Sequence, residues 1–442
     1  MKVIHIHEND GGGGAGLSAY QLMDALCKKG FDSELYVGRT RLSNDSRVKY
    51  LSKRYEKILN LSRTAPFPKK VQSAIRILLN YLSLPKFIIY RLTGKEYSKI
   101  FYSERELKRL LMQKPDIIHC HNLHSNYFDL SSLIYLSNHI PVILTLRDTW
   151  LLSGHCAYYM DCTRWKTGCG SCPDLSIYPA IRKDATAFNW SKRAEIFSKC
   201  KFYITGPSKW VVDSASQSML NPGVIQSLVI PNGINLDIFH PGDKIAARSA
   251  LGLPLDKFIL IYSASGLKTN RFKDYPSLMR TLENLGKSNA EIFCIALGDK
   301  NQSLEDQIIG NAITLHFVPF ISDMEIVSLY YQAADVYIHP AKAETFGRSI
   351  AEAEACGLPV IAFGVCGIPE LIVDGENGYL VPGGDAETMS AKILSLFENP
   401  ALREKMGDKS AALAKERYGI ELMVNRYISL YQSILLNEKN NK

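Results

Sequence analysis

No apolar run in this chain of 442 residues approaches the ~18 residues of a membrane span. The start, MKVIHIHEND, lacks the apolar core of a secretory signal. Together these absences give the expectation of a cytoplasmic protein, in a compartment where disulfides are rare. No short-period repeat occurs, and no low-complexity segment beyond the four consecutive glycines Gly11 to Gly14, so a solenoid or fibrous protein is excluded. Acidic residues are scarce between Lys49 and Arg109, where Lys53, Arg54, Lys57, Lys69, Lys70 and Arg76 mix with Leu78, Leu79, Phe87 and Ile88. This basic insertion, about 49–110, suits an anionic membrane surface. It suits equally a solvated insertion packed on its own domain. The net charge of +8 points to anionic partners, phosphorylated small molecules or lipid headgroups, and no nucleic-acid partner is expected.

What is present is ordinary globular composition, 46% hydrophobic and 22% charged, in a chain long enough for two domains. Strands alternate with helices. Val3–Ile6, Ser33–Val37, Pro115–His121, Pro141–Leu146, Phe202–Thr205 and Leu228–Ile230 read as strands of a first parallel sheet. Pro231-Asn232-Gly233 opens a polar, Gly/Pro-punctuated connection. A second series follows at Lys257–Ser263, Glu291–Leu297, Thr314–Val318, Val336–His339 and Pro359–Phe363. Glu421 to Leu436 is an amphipathic helix with Val424, Tyr427, Leu430, Tyr431 and Leu435 on one face. The expected architecture is α/β, two doubly wound Rossmann-like domains facing across a cleft. Their bounds are 1–237, 238–415, and a helix over 416–442 that packs back on the first domain.

Two segments hold the chemistry. Gly11, Gly13 and Gly16 spell G-x-G-x-x-G between the first strand and a helix, which is the dinucleotide fingerprint. That reading needs an acidic residue closing the second strand, whereas Glu34 opens it and Gly38-Arg39 follows. The second segment starts at the end of the Val336–His339 strand and holds Glu344 in a loop and Glu352 about one turn into the next helix. Carboxylates accept hydroxyl pairs, and the amides of a helix start bind phosphate. One site can therefore grip a sugar, a ribose and a diphosphate. Ordinary surface acids favoured by the helix dipole are the plain alternative.

Glu344 and Glu352 form E-x7-E, set among Ala334-Asp335-Val336, Ala343 to Gly347 (A-E-x-F-G), Ala355 to Val360, Gly367 to Glu370 and Asn377 to Val381. Upstream stand Ile230-Pro231-Asn232-Gly233-Ile234 and Phe239-His240-Pro241. In this order the segments resemble the family-4 retaining glycosyltransferases of the GT-B fold across almost the whole chain. The resemblance implies that Glu344 meets hydroxyls of a donor sugar and Glu352 the ribose. It gives Thr345, Phe346 and Gly347 to the donor, and lets Gly14 and Gly16 bring backbone amides to its diphosphate.

A departing diphosphate needs positive charge, from a divalent metal or from Arg, Lys and helix ends. No D-x-D pair, typical of metal-dependent sugar transferases, occurs, so cations are expected and no catalytic metal. Lys273 is the best match to the family's clamp, with Arg271 and Lys268 as partners, although Asp274 stands where the family commonly has glycine. His316-Phe317-Val318-Pro319 is similar to the family segment whose backbone reads the base, which implies base recognition there without distinguishing UDP from GDP. On the acceptor side, His121, Arg147 and Asp148 end two strands. Arg147 occupies the place of the family's usual histidine, and an arginine is no general base at neutral pH.

Residues 154–173 hold Cys156, Cys162, Cys169 and Cys172, spaced C-x5-C-x6-C-x2-C. Four thiolates can close a structural tetrahedral zinc site, and free thiols in a loop are the alternative. The segment closely resembles the Cys-rich loop of transferases of polysaccharide assembly. The resulting expectation is a nucleotide-sugar-dependent, retaining hexosyltransferase. It serves a saccharide or lipid-linked acceptor in polysaccharide or lipopolysaccharide synthesis, peripherally at the inner membrane face. Rivals are a nucleotide-sugar epimerase of the same shape, an NAD-dependent oxidoreductase and a non-catalytic sugar-binding module.

Overall fold

The structure is a computed structural model. It describes residues 1–11, 13–53, 56, 92–96, 104–125, 127–299, 305–310 and 312–440. Most of the basic insertion expected at about 49–110 lies outside the described residues. The chain divides into two units, Met1–Ile230 with Arg426 onward, and Pro231–Asn425. The boundary falls at Pro231, where the polar connection begins, and not after residue 237.

The first unit carries strands β1 (Lys2–Asn9), β2 (Asp32–Thr40), β3 (Val48–Tyr50), β4 (Ile117–Cys120), β5 (Val142–Thr145), β6 (Phe202–Gly206) and β7 (Val224–Val229). They form one parallel sheet in the order β3-β2-β1-β4-β5-β6-β7. Central strands β4, β5 and β6 are buried at every position, as expected of a parallel sheet covered on both faces. Two readings of the sequence change. The second strand runs on through Gly38-Arg39 to Thr40. The last strand begins at Val224, because this edge strand is largely exposed and has no continuous apolar pattern. The short edge strand β3 gives no periodic signal at all.

The second unit carries β8 (Phe258–Ser263), β9 (Ile292–Asp299), β10 (Gln307–Ile309), β11 (Ile313–Pro319), β12 (Val336–His339), β13 (Val360–Phe363) and β14 (Gly378–Val381). Their order is β10-β11-β9-β8-β12-β13-β14, parallel except for the β10–β11 pair. Alternation along one strand divides the core between the two faces. Ile259 and Ile261 pack with Tyr331 and Ile350, while Leu260 and Tyr262 pack with Leu278 and Met389. Helices here are delimited by local chemistry. Asp243 caps Lys244–Leu251 by accepting from the amides of Ile245 (2.9 Å) and Ala246 (3.0 Å), and Gly252 ends it in the left-handed region at φ 65°.

The helix Ile420–Asn440 begins in the second unit and groups with the first from Arg426 onward. At its start, Ile234 pairs with Gly419, and the Ile420 amide donates to Ile234 O at 2.9 Å. Farther along, Tyr427, Leu430, Tyr431 and Ile434 are buried. Ile434 takes the place expected of Leu435, which is half-buried. The Tyr431 hydroxyl lies 2.8 Å from His119 Nδ1 under the first sheet.

Candidate donor and acceptor sites

Among the parallel strands of each sheet the order reverses once, at β1/β4 and at β8/β12. Open α/β sheets bind ligands beyond the carboxyl ends of the strands at that reversal. Lys273 follows β8 and Glu344 follows β12, so topology alone brings them to one place. They form an ion pair, Lys273 Nζ to Glu344 Oε2, with about a sixth of each side chain exposed. The loops are tied together as well, since the Lys342 amide donates to Phe272 O at 2.8 Å. Tyr262 OH donates to Lys273 O at 2.8 Å and fixes the lysine's backbone. Burial by itself would raise the Glu344 carboxyl, but the charge and hydrogen bond of Lys273 more than offset it and hold it below its usual range. His339 is fully buried with Nε2 3.9 Å from Glu344 Oε2, and burial followed by Lys273 pushes it down to about 3. It is therefore a neutral wall of the site.

The 3-10 turn Arg271–Lys273 is capped by Asn270, whose side chain accepts from the Phe272 amide at 3.1 Å. Arg271 is exposed beside it. Lys268 sits over the Phe317 ring at 4.5 Å, and Phe317 and Val318 are buried at the end of β11. Asp274, in the glycine position of the resemblance, adopts φ 48° itself. It is buried, accepts from Ser277 Oγ at 2.6 Å and pairs with Lys342 Nζ at 3.0 Å. Those partners stabilise a backbone conformation that glycine would adopt freely. The sequence alone gave no role to His339, Asp274 or Lys342; only their neighbours reveal one.

Past Glu344, the side chains of Thr345 and Phe346 are buried, and Gly347 at φ 83° starts the helix Arg348–Ala355. A Cβ at Gly347 would come 2.9 Å from Ile350 Cδ1. Glu352 is reached by Arg348 Nε at 2.7 Å. The next acid, Glu354, faces the other way: it is fully buried and accepts from Asn377 Nδ2 at 2.8 Å.

The first unit presents its own strand ends. Gly14 is exposed and opens the helix Gly14–Lys28. Gly16 is buried, and a Cβ there would lie 2.3 Å from Asn9 Oδ1. Its missing side chain thus lets the helix pack on the end of β1. Gly12 lies outside the described residues. Glu34 pairs with Lys49 at 2.5 Å.

His121, at the end of β4, is buried among histidines. His5 Nδ1 lies 3.2 Å from His121 Nε2, and His119 stacks on His121 with centroids 4.3 Å apart. Among the described residues, His5, His119 and His121 bring ligand atoms within 4.8 Å of one another. Both ring nitrogens of His119 are engaged, by Tyr431 at 2.8 Å and Thr145 at 2.5 Å. Burial first lowers the pKa of His5 and His119, and the Arg147 guanidinium lowers both further, after His5 in the case of His119. A neighbouring fixed positive charge makes this a poor cation site and a fitting neutral hydrogen-bonded core.

The imidazole that does meet Asp148 is His124, with Nε2 3.2 Å from Oδ2. Asn122 Nδ2 donates to the same oxygen at 3.0 Å, and the Trp150 amide donates to Oδ1 at 2.9 Å. His124 Nδ1 lies 2.7 Å from Ser125 Oγ, which lies 3.2 Å from Tyr178 OH. Burial would lower the His124 pKa, but Asp148 outweighs it and the value rises. A histidine four residues beyond the end of β4 carries no sequence signal that separates it from His121.

The Cys-rich segment follows at once. Its four thiols are free and, together with His155, line one small apolar cavity. Arg193 is fully buried behind the segment, paired to Glu96 at 2.5 Å and stacked on Trp150 at 3.7 Å.

Both units are thus Rossmann-like α/β domains with polar strand ends. Residues 12–238, just over half of the chain, match Glycosyltransferase Family 4, and residues 243–412 match Glycosyl transferases group 1. The chain belongs to glycosyltransferase family 4. A D-inositol 3-phosphate glycosyltransferase 1 of Catenulispora acidiphila is 30% identical over 217 residues, 46% of this chain and 50% of that protein. The chain spans about half the length of the curated relatives it matches. Among solved structures, sucrose-phosphate synthase of Thermosynechococcus elongatus matches with TM-score 0.67 and 18% identity, over 99% of this chain and 100% of that one. HepE of Anabaena, in complex with UDP-glucose, matches with TM-score 0.61 and 16% identity, over 98% and 100%. These likenesses are of fold, and the fold is GT-B.

Proposed function

We propose that this chain is a retaining glycosyltransferase that moves a sugar from a UDP- or GDP-sugar to a saccharide or lipid-linked acceptor. The observation that carries the reading is the Lys273–Glu344 pair at the β8/β12 reversal, beside the amides that open the helix Arg348–Ala355. It sets a positive charge for a diphosphate against a carboxylate for sugar hydroxyls. Glu352 takes the ribose, sharing it with Arg348. Arg271 and Lys268 add charge toward the phosphates, and Phe317 and Val318 offer their backbone to the base. By the family resemblance, Gly14 offers a backbone amide to a donor diphosphate.

The bond from the sugar's anomeric carbon to the phosphate oxygen breaks, and an acceptor oxygen bonds to that carbon from the same face. The leaving phosphate oxygen accepts the acceptor's proton, so no side-chain base is required and Arg147 is tolerated. Lys273 and the helix amides stabilise the charge that develops on the diphosphate. His124 and Asp148 orient the acceptor hydroxyl. The pathway we infer is polysaccharide or lipopolysaccharide assembly at the cytoplasmic membrane face, with the basic insertion on anionic lipid. Among the described residues no helix is long and apolar enough to cross a membrane.

The UDP-glucose in the HepE complex makes UDP-glucose the first donor to try. Incubation with a panel of UDP- and GDP-sugars should release nucleoside diphosphate, and UDP or GDP should raise the melting temperature where NAD does not. Stabilisation by NAD alone, with no diphosphate released, would overturn the proposal.

A further inference from the structure

The cysteines of the segment 154–173 are spread over a 3-10 turn and its flanking loops, yet they converge. Cys156, Cys162, Cys169 and Cys172 all line one cavity, with Trp165 and His155 completing its wall. The convergence is built. A Cβ at Gly154 would come 2.9 Å from Cys169 Cβ and 2.5 Å from Thr186 O, so only glycine lets these strands of chain approach. The Gly154 amide points at Cys169 Sγ (3.2 Å), and the Cys172 amide is held by Asp184 at 2.7 Å. Gly168 and Gly170 adopt φ near +150°, and Ser171 φ 45°, to turn the C-x2-C half back on the rest. His155 Nε2 lies 3.4 Å from Cys172 Sγ, while its Nδ1 lies 3.3 Å from Pro179 O.

Four soft, polarisable sulfurs thus gather around one cavity, a donor set that a divalent soft cation takes as thiolates, releasing their protons. From the shared cavity and the loop that shapes it, we propose that Cys156, Cys162, Cys169 and Cys172 bind one structural zinc ion, with His155 hydrogen-bonding Cys172 from outside the ligand set. Zinc–sulfur bonds of about 2.3 Å draw the sulfurs closer than they stand here. Among the described residues the group already within 4.8 Å is the histidine trio. The zinc closes all four positions, so its work is to hold shape. It pins the segment between Asp148 and the helix Thr186–Phe197, and with it the Ala157 amide on Tyr178 O (2.7 Å) and the Tyr178 ring beside His124.

The test is elemental analysis of the full chain purified without chelator. About one zinc per chain should be found, released when a mercurial titrates the thiols. Cys172→Ser and Cys169→Ser should drop that content at least tenfold, and His155→Gln should retain it. Cobalt(II) exchanged into the native protein should show strong thiolate charge-transfer absorption of a tetrahedral four-sulfur site, which reads the ligands without any variant that has to fold. Absence of metal with all ten cysteines titrating as thiols would overturn the proposal, as would two disulfides in the segment. Loss of zinc in His155→Gln would overturn the four-sulfur ligand set. None of these readouts depends on sugar transfer.

Discussion

Lys273 and Glu344, 71 positions apart in the chain, form a mostly buried ion pair where β8 and β12 lie side by side. Removing either partner leaves the other uncompensated. Lys273→Ala and Glu344→Ala should each lower kcat/KM for donor turnover by about 100-fold or more, measured as nucleoside diphosphate released. In the native chain the depressed Glu344 carboxyl contributes stability above its unfolded value of 4.5, lost as pH falls through the lower folded value. Lys273→Ala should abolish that acid-side contribution in pH-dependent denaturation. Unchanged turnover in both variants would remove this site from the mechanism.

Glu354 behaves oppositely to Glu344. Burial raises its pKa well above 4.5, and Arg417 and Asn377 offset only part of this. The folded chain therefore holds a proton that the unfolded chain gives up, and stability declines as pH rises above 4.5 toward the folded value. Glu354→Gln should flatten this decline between pH 5 and 8. A melting-temperature profile parallel to that of the native chain would contradict it.

Asp335 is the hub of a buried network. It accepts from Arg248 Nη2 at 2.7 Å, Lys244 Nζ at 2.6 Å and the Ile259 amide at 2.8 Å. Asp335→Ala strands Arg248, which is 4% exposed, and should cost about 3–5 kcal/mol in chemical denaturation. A loss below about 1 kcal/mol, the scale of an exposed pair, would show that the network contributes little.

At the other sheet, Asp148 raises the pKa of His124 against burial. This interaction stabilises the fold below pH 6.5 and is lost as pH rises through the folded value. Asp148→Asn should move the His124 titration downward when followed by NMR of the ring proton. With an acceptor in hand, the same variant should raise the acceptor KM more than the donor KM. A titration that stays in place would separate the two residues.

Tyr431→Phe removes the hydroxyl at 2.8 Å from His119 Nδ1 and leaves a fully buried nitrogen without that partner. About 1–3 kcal/mol of stability should be lost, with the far-ultraviolet spectrum unchanged. An unaffected melting temperature would show that the histidine core does not rely on this helix.

The sequence carried the alternation of strands and helices, the α/β class and the E-x7-E helix start, because these are local: apolar runs bounded by Gly and Pro, and a carboxylate one turn into a helix. It also held the Cys spacing. The edge strands β3, β10 and β14 escaped it, since short or exposed strands need no apolar pattern. Tertiary structure alone decided which histidine serves Asp148, for His121 and His124 differ in where the chain turns after β4 and not in chemistry. It also decided that Gly16 is a packing glycine, and that Glu354, two positions after Glu352, meets the buried Asn377. Those outcomes depend on contacts between residues far apart in the chain, which no local pattern encodes.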